Sequence, residues 1–181
     1  MSIEKKNLLI KIGVIIVVLA SCLISGRMQL NRKVEKLETV FLNGENNDQL
    51  SVHYDLVKID NSLGYFLSLS KKNNVTSDSV TVLEKLHKEF DSLKMITEYN
   101  EWYQKIKQNY PIAINEVKEI ALSHQHSKML SKYEATYNSA IHTISYSQFN
   151  QLVNEYNEET DGIIASTLKN MTGIKKVVTF D

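Results

Sequence analysis

The stretch Ile112–Asp161, IAINEVKEIALSHQHSKMLSKYEATYNSAIHTISYSQFNQLVNEYNEETD, decides the fold of this chain because it contains neither glycine nor proline. Apolar side chains recur along it at helical spacing, which predicts one long helix. Unbroken, such a helix would be about 75 Å long at about 1.5 Å per residue. A kink is expected near Tyr146, between two serines. The predicted buried positions are Ile120, Met129, Leu130, Tyr133, Tyr137, Ile141, Ile144, Phe149, Val153 and Tyr156.

The rest of the chain is also poor in helix breakers, with one proline, Pro111, and six glycines in all. Strand-rich domains consume glycine and proline in their turns, so an all-α fold is expected. Apolar seams predict helices from about Arg27 to Leu42 and from Leu50 to Leu69. A third would begin at a cap on Asp78 or Ser79 and end at Tyr110-Pro111. The predicted architecture is an elongated antiparallel bundle of four to five helices with an N-terminal membrane anchor.

The anchor is an uncharged run, Ile12–Ile24, behind a basic N-terminus. A transmembrane helix needs about 20 apolar residues, and a run of about 10–14 is typical of signal-peptide cores. Two alternatives stay open. In one, residues 1–21 are a lipoprotein signal, Leu19–Cys22 is a lipobox, and Cys22 carries lipid. In the other, Leu8–Ser25 is an uncleaved transmembrane helix, and no later run is long enough for a second span.

Composition argues against several functional classes. The chain has 21 basic and 21 acidic residues and no basic stripe, so nucleic acid is not an expected partner. No phosphate-binding glycine loop or nucleophile elbow occurs, so no enzyme, catalytic residue or cofactor is expected. His124 and His126 stand two apart, about 200° around a helix, so they are not expected to bind one metal.

Two aromatic–asparagine pairs, Phe149-Asn150 and Tyr156-Asn157, lie seven residues apart. Aromatic side chains at heptad spacing are expected in the core. The asparagines beside them are expected at its border, bonding across helices and fixing their register. The same dipeptide recurs at Tyr99-Asn100 and Tyr137-Asn138.

These pairs are followed by Gly173-Ile174-Lys175-Lys176 and Phe180-Asp181, and together these motifs resemble the C-terminus of the LemA family. Tyr110-Pro111 and, more faintly, Tyr54–Val57 resemble further positions of that family, whereas Ile163-Ile164 replaces its Phe-Pro. The resemblance implies a divergent member of a family of bacterial membrane-anchored helical bundles. It implies architecture and location, but no reaction. The expected organisation is an anchor over residues 1–25, a LemA-like bundle over 26–172 and a tail over 173–181.

The tail has its own expected structure. Gly173 is placed to end the last helix in the left-handed conformation, with Ile174 folding back on Leu168. Lys175 and Lys176 would then lie beside the negative end of the helix. Phe180 would be carried back toward the bundle.

The expected function is that of a non-enzymatic envelope protein. It would be attached to the cell membrane through its N-terminus, with the bundle outside the cytoplasm, and would bind another envelope protein or itself. The alternative is a sensory or ligand-binding module, with a cavity lined by Tyr99, Trp102 and Tyr103. A metal or haem carrier is a third possibility that depends on the histidines alone.

Overall fold

The structure is a computed structural model that describes residues 3–44, 51–120, 122–161 and 177–180. Six α-helices lie in these ranges, together with a short 3-10 turn and no strand, so the expectation of an all-α fold is confirmed. The helices are α1 (Ile3–Asn43), α2 (Val52–Lys72), α3 (Asp78–Glu89), α4 (Ile96–Lys118), α5 (His124–Ser145) and α6 (Gln148–Thr160), and the 3-10 turn is Phe90–Ser92.

Helices α2 and α5 form the most extensive helix pair. Ser62 on α2 donates a hydrogen bond to the Tyr133 carbonyl on α5 at 3.1 Å. Beyond the C-terminal end of α2, Asn73 lies 3.3 Å from the ring nitrogen of His126, near the start of α5. The two helices are therefore antiparallel.

Helices α1 and α6 form a second antiparallel pair. The rings of Phe41 and Phe149 lie 5.5 Å apart at one end, and Lys33 forms an ion pair with Glu159 at the other. Helices α3 and α4 form a third pair, in which the Trp102 indole donates to the Leu86 carbonyl at 2.9 Å. One continuous core joins all six helices.

The predicted third helix is two helices, α3 and α4. Its cap is Ser77, whose hydroxyl accepts from the Val80 amide at 3.2 Å, and not Asp78 or Ser79. The chain leaves α3 through the 3-10 turn and restarts at Ile96. There the Glu98 carboxylate accepts the amides of Lys94 and Met95 at 2.8 and 3.0 Å. These bonds satisfy amides that a helix start leaves without partners.

The expectation that Pro111 ends a helix is wrong, because Pro111 lies inside α4. Proline removes one helical hydrogen bond and costs about 3 kcal/mol in a helix interior. Its neighbours offset that cost by packing. Tyr110, Ala113 and Ile114 are all buried, while the proline ring faces outward. Tertiary burial therefore overrides the local signal.

The breaker-free stretch is interrupted twice. Helix α4 ends at Lys118, and α5 begins behind Ser123, whose hydroxyl accepts from the His126 amide at 3.2 Å. The second interruption, Tyr146–Ser147, lies where the kink was predicted and separates α5 from α6. These breaks, with the one before α4, account for six described helices where four to five were expected.

Candidate functional site

The most specific set of polar contacts in the described structure lies in a groove between α4 and α6 that holds residues 177–180. We call it the tail groove. Phe149 and Tyr156 on α6 are 1% and 3% exposed, as the heptad spacing predicted. Asn150 and Asn157 follow them on the neighbouring face of the helix. These two asparagines form the α6 side of the tail groove.

Both α6 asparagines bind the main chain of the tail. The Asn157 amide donates to the Val177 carbonyl at 2.9 Å, and the Asn150 side-chain oxygen accepts from the Phe180 amide at 2.8 Å. The later tail residue meets the earlier helix residue, so the tail runs antiparallel to α6. The expectation that these asparagines bond from helix to helix is therefore corrected for Asn157, whose partner is the tail.

The heptad spacing matches the length of the tail. Seven residues of helix rise about 10.5 Å, which separates Asn150 from Asn157 along the axis. Three residues of extended chain advance about 10 Å, so a segment from Val177 to Phe180 can match that distance. Two asparagines two helical turns apart can therefore hold both ends of a four-residue segment.

The side-chain amide of Asn150 forms hydrogen bonds through both its nitrogen and its oxygen. Its nitrogen donates to the Ile144 carbonyl at 3.0 Å, and its oxygen accepts from Phe180. Ile144 lies in the last turn of α5, and its carbonyl also accepts from the Ser147 amide at 3.1 Å. Asn150 is 5% exposed, so both bonds are shielded from water. One side chain thus joins the end of α5, the start of α6 and the tail.

Helix α4 closes the groove from the other side. The Asn100 amide donates to the Thr179 carbonyl at 2.5 Å. Tyr99-Asn100 is the aromatic–asparagine pair that the sequence offered on α4, so three of the four pairs supply a tail contact. The fourth asparagine, Asn138, is exposed on α5.

Phe180 fills an aromatic pocket at the end of the groove. Its ring centroid lies 5.6 Å from those of Phe41 and Tyr103 and 5.9 Å from that of Phe149. The side chain is fully buried. The prediction that Phe180 returns to the bundle is confirmed. Burying a phenyl side chain contributes about 1.5–3 kcal/mol, which offsets part of the entropy cost of ordering the tail.

His53 borders the same pocket. Its ring lies 6.0 Å from Phe41 and 5.3 Å from Tyr99, edge-on to both. Burial among these rings lowers the pKa of His53 below its usual 6.5. The neutral imidazole is therefore favoured in the folded state.

Other predicted site residues are not brought together. Gly173, Ile174, Lys175 and Lys176 lie outside the described residues. Cys22 is exposed inside α1, which runs without a break across the expected boundary between residues 25 and 26.

The remaining candidate clusters belong to the packing of the bundle. Tyr99, Trp102 and Tyr103 are at most 9% exposed and fill the core. His124 is exposed, and His126 contacts Asn73. Within the described ranges, no group of three or more His, Cys, Asp or Glu side chains could hold a metal ion.

Sequence reasoning missed a histidine–carboxylate pair between α2 and α3. The ring nitrogen Nδ1 of His87 lies 2.8 Å from the Asp60 carboxylate. Burial raises the pKa of Asp60, and the hydrogen bond from His87 opposes that rise. Gly64, one helical turn after Asp60, makes room for the imidazole, since a Cβ there would lie 3.0 Å from its Cε1 atom. The sequence signal that could have revealed this pair was Gly64, a glycine inside a predicted helix.

The first half of α1 carries exposed apolar side chains, and Leu30 is the first buried one among the α1 side chains that the structure describes. Across the residues that the structure describes, no helix was found with the length and apolarity that a membrane crossing requires. The exposed apolar side chains before Leu30 include Ile12, Val14, Val17, Val18, Leu23, Ile24 and Met28.

Comparisons with known proteins found no match to this chain among protein-family models, curated proteins or solved structures.

Proposed function

We propose that this chain is a divergent LemA-like protein that is attached to a bacterial cell membrane by its N-terminus and works as a non-enzymatic scaffold. Its bundle would lie outside the cytoplasm and bind another envelope protein. The observation that carries the proposal is the exposed apolar surface on the first half of α1. Exposed contiguous apolar surface is typical of a membrane or protein contact.

The second half of α1 supports this proposal by its packing. Leu37, Val40 and Phe41 are 3%, 6% and 2% exposed, so α1 is fixed to the bundle at that end. The helix has 41 residues, about 60 Å at 1.5 Å per residue. A continuous helix would hold the bundle at a set distance from the membrane surface.

Cell fractionation tests the membrane attachment. We expect the full chain in the membrane fraction and a chain that begins at Gly26 in the soluble fraction, with over half of its residues helical by circular dichroism. Protease protection in spheroplasts tests the orientation, since a bundle outside the cytoplasm is digested. A full chain found soluble, or a bundle protected from protease, contradicts the proposal.

The state of Cys22 is tested separately. A lipoprotein would incorporate labelled fatty acid, lose that label in Cys22→Ser, and have a mature mass that lacks residues 1–21. An uncleaved transmembrane helix would retain Met1 in its mass. Either result fits membrane attachment and decides between the two forms of the anchor.

A ligand-binding function is the second candidate, favoured by a depression between α1 and α6. Lys33, Lys36, Glu155 and Tyr156 are among its lining residues. A small molecule that carries both an anionic and a cationic group would complement the two lysines and the glutamate. We expect a thermal shift from such a ligand in the full chain that decreases in Lys36→Ala.

A further inference from the structure

We propose that the tail groove is a peptide-binding site, which the chain's own tail occupies and which accepts an extended segment of a partner protein. The segment would carry an aromatic side chain three residues after the carbonyl that Asn157 binds, and a basic side chain ahead of that carbonyl. The inference depends on the proposed scaffold function only in taking the partner to be an envelope protein.

The polar contacts of the groove recognise main chain and not side chains. Asn157, Asn100 and Asn150 bind the Val177 carbonyl, the Thr179 carbonyl and the Phe180 amide in turn. Any extended segment offers the same atoms at the same spacing. Main-chain hydrogen bonds supply affinity in this way in many peptide-binding proteins, while side-chain pockets supply specificity.

Selectivity comes from one pocket. Phe180 is fully buried, whereas Val178 is 38% exposed. Val177 and Thr179 are half-buried. The site therefore requires an aromatic ring at one position and tolerates different side chains at the three before it.

The pocket is built from side chains of three helices. Its three ring contacts come from Phe41 on α1, Tyr103 on α4 and Phe149 on α6, all of which also belong to the continuous core. The tail can leave without removing any of these side chains. A pocket that exists before its ligand arrives reduces the entropy cost of binding.

Charge sets the direction of the segment. Glu158 and Asp161 line the groove at the end where Val177 enters. Opposite charges across an interface favour one orientation and suppress others. A segment with a basic residue ahead of its aromatic residue is therefore preferred over the reverse order.

A peptide titration tests the proposal on the full chain in detergent micelles. The probe is a fluorescent peptide with the sequence of residues 175–181, KKVVTFD. The receptors are the unmodified chain and Phe180→Ala, whose own tail no longer fills the pocket. A tethered competitor acts at about millimolar effective concentration. We therefore expect about tenfold or greater tightening in Phe180→Ala, measured by fluorescence anisotropy.

Two matched controls define the site. A peptide with alanine in place of its phenylalanine should bind Phe180→Ala at least about tenfold more weakly, because the pocket stays empty. Asn157→Leu in the same receptor should also weaken binding, whereas Asn138→Leu should not. Equal binding by both receptors, or by both peptides, overturns the proposal.

A second measurement applies if Phe180→Ala loses its helical circular dichroism. The peptide then carries benzoylphenylalanine in place of phenylalanine and is photolysed with excess unmodified chain. Crosslinks at residues 99–103 or 149–157 support the proposal, and crosslinks elsewhere or none at all overturn it. If the unmodified chain forms a dimer that Phe180→Ala abolishes, the groove binds the tail of a second copy. That result would overturn the proposal of a separate partner protein. Membrane fractionation tests the scaffold proposal independently of all these outcomes.

Discussion

The Asn150 side-chain oxygen accepts a hydrogen bond from the Phe180 amide at 2.8 Å, across thirty residues of sequence. The same side chain donates to the Ile144 carbonyl at 3.0 Å, so the end of α5 and the tail share one amide. Neither bond can form within an isolated α6, because the Ile144 carbonyl belongs to α5 and the Phe180 amide belongs to the tail. Tail docking and the packing of α6 on α5 are therefore coupled through Asn150.

Replacing Asn150 with alanine should destabilise the bundle. The change leaves the buried Phe180 amide without its partner, which costs about 1–3 kcal/mol. It also removes one of the bonds to the Ile144 carbonyl, which still accepts from the Ser147 amide at 3.1 Å. Urea unfolding followed by circular dichroism measures the loss. Asn138→Ala is the matched control, since it changes the same residue at an exposed position and should stay within about 0.5 kcal/mol of the unmodified chain. Equal stability of the two variants would contradict the coupling.

Phe180→Ala should cost about 1.5–3 kcal/mol, the contribution of burying one phenyl side chain. The melting temperature should fall by about 2–4 °C for each kcal/mol in a chain of this size. Val178→Ala, which truncates an exposed neighbour, should leave the melting temperature nearly unchanged. If the two variants melt together, Phe180 does not stabilise the tail groove in solution.

The helical core could be predicted from the sequence because its signal is local. Leu30, Leu37 and Phe41 recur at helical spacing, and all three are buried. Tyr146 lies at a predicted kink and separates two helices. Pro111 was misjudged because its preference for ending a helix is local, whereas the burial of its neighbours depends on other helices.

The candidate site could be predicted only in part. The spacing of Asn150 and Asn157 identified the residues, and Phe180 was expected near the bundle. Their partners lie between 20 and 30 residues away, in a segment without helical periodicity. The contribution of Asn100 depends on α4 meeting the tail 79 residues later, which no local pattern encodes.

Stability should decrease below pH 6.5 because of His53. Burial lowers its pKa in the folded chain, so the unfolded chain binds a proton at higher pH than the folded chain does. The His53 contribution is thus fully present above about pH 6.5 and is lost as the pH falls below that value. In His53→Gln, urea unfolding between pH 7 and pH 5 should depend less on pH. His124→Gln, at an exposed position, should retain the full dependence, and a dependence identical in all three chains would rule out His53 as its source.

Gly64→Ala should reveal the His87–Asp60 pair through a double-mutant cycle. Alanine favours a helix over glycine by about 0.5–1 kcal/mol, but its Cβ would lie 3.0 Å from the His87 ring. In the unmodified chain the ring is held by Asp60 at 2.8 Å, so the substitution should destabilise. In a His87→Ala background it should instead stabilise by about 0.5–1 kcal/mol. The same effect in both backgrounds would show that Gly64 is not needed for the imidazole.

Pro111→Ala should stabilise the bundle. Pro111 lies inside α4 with its ring facing solvent, so an alanine there would lose no core contact. It would return a main-chain donor to the Lys107 carbonyl one turn earlier, and alanine is favoured over proline by about 3 kcal/mol in helix interiors. Greater freedom of the unfolded chain offsets up to about 1 kcal/mol of that gain. We expect a net increase of about 1–2 kcal/mol in the unfolding free energy, measured in urea. Ile112→Ala, at the next exposed position, serves as the control and should change stability far less. A destabilised Pro111→Ala would mean that the proline sets a bend in α4 on which the burial of Tyr110 depends.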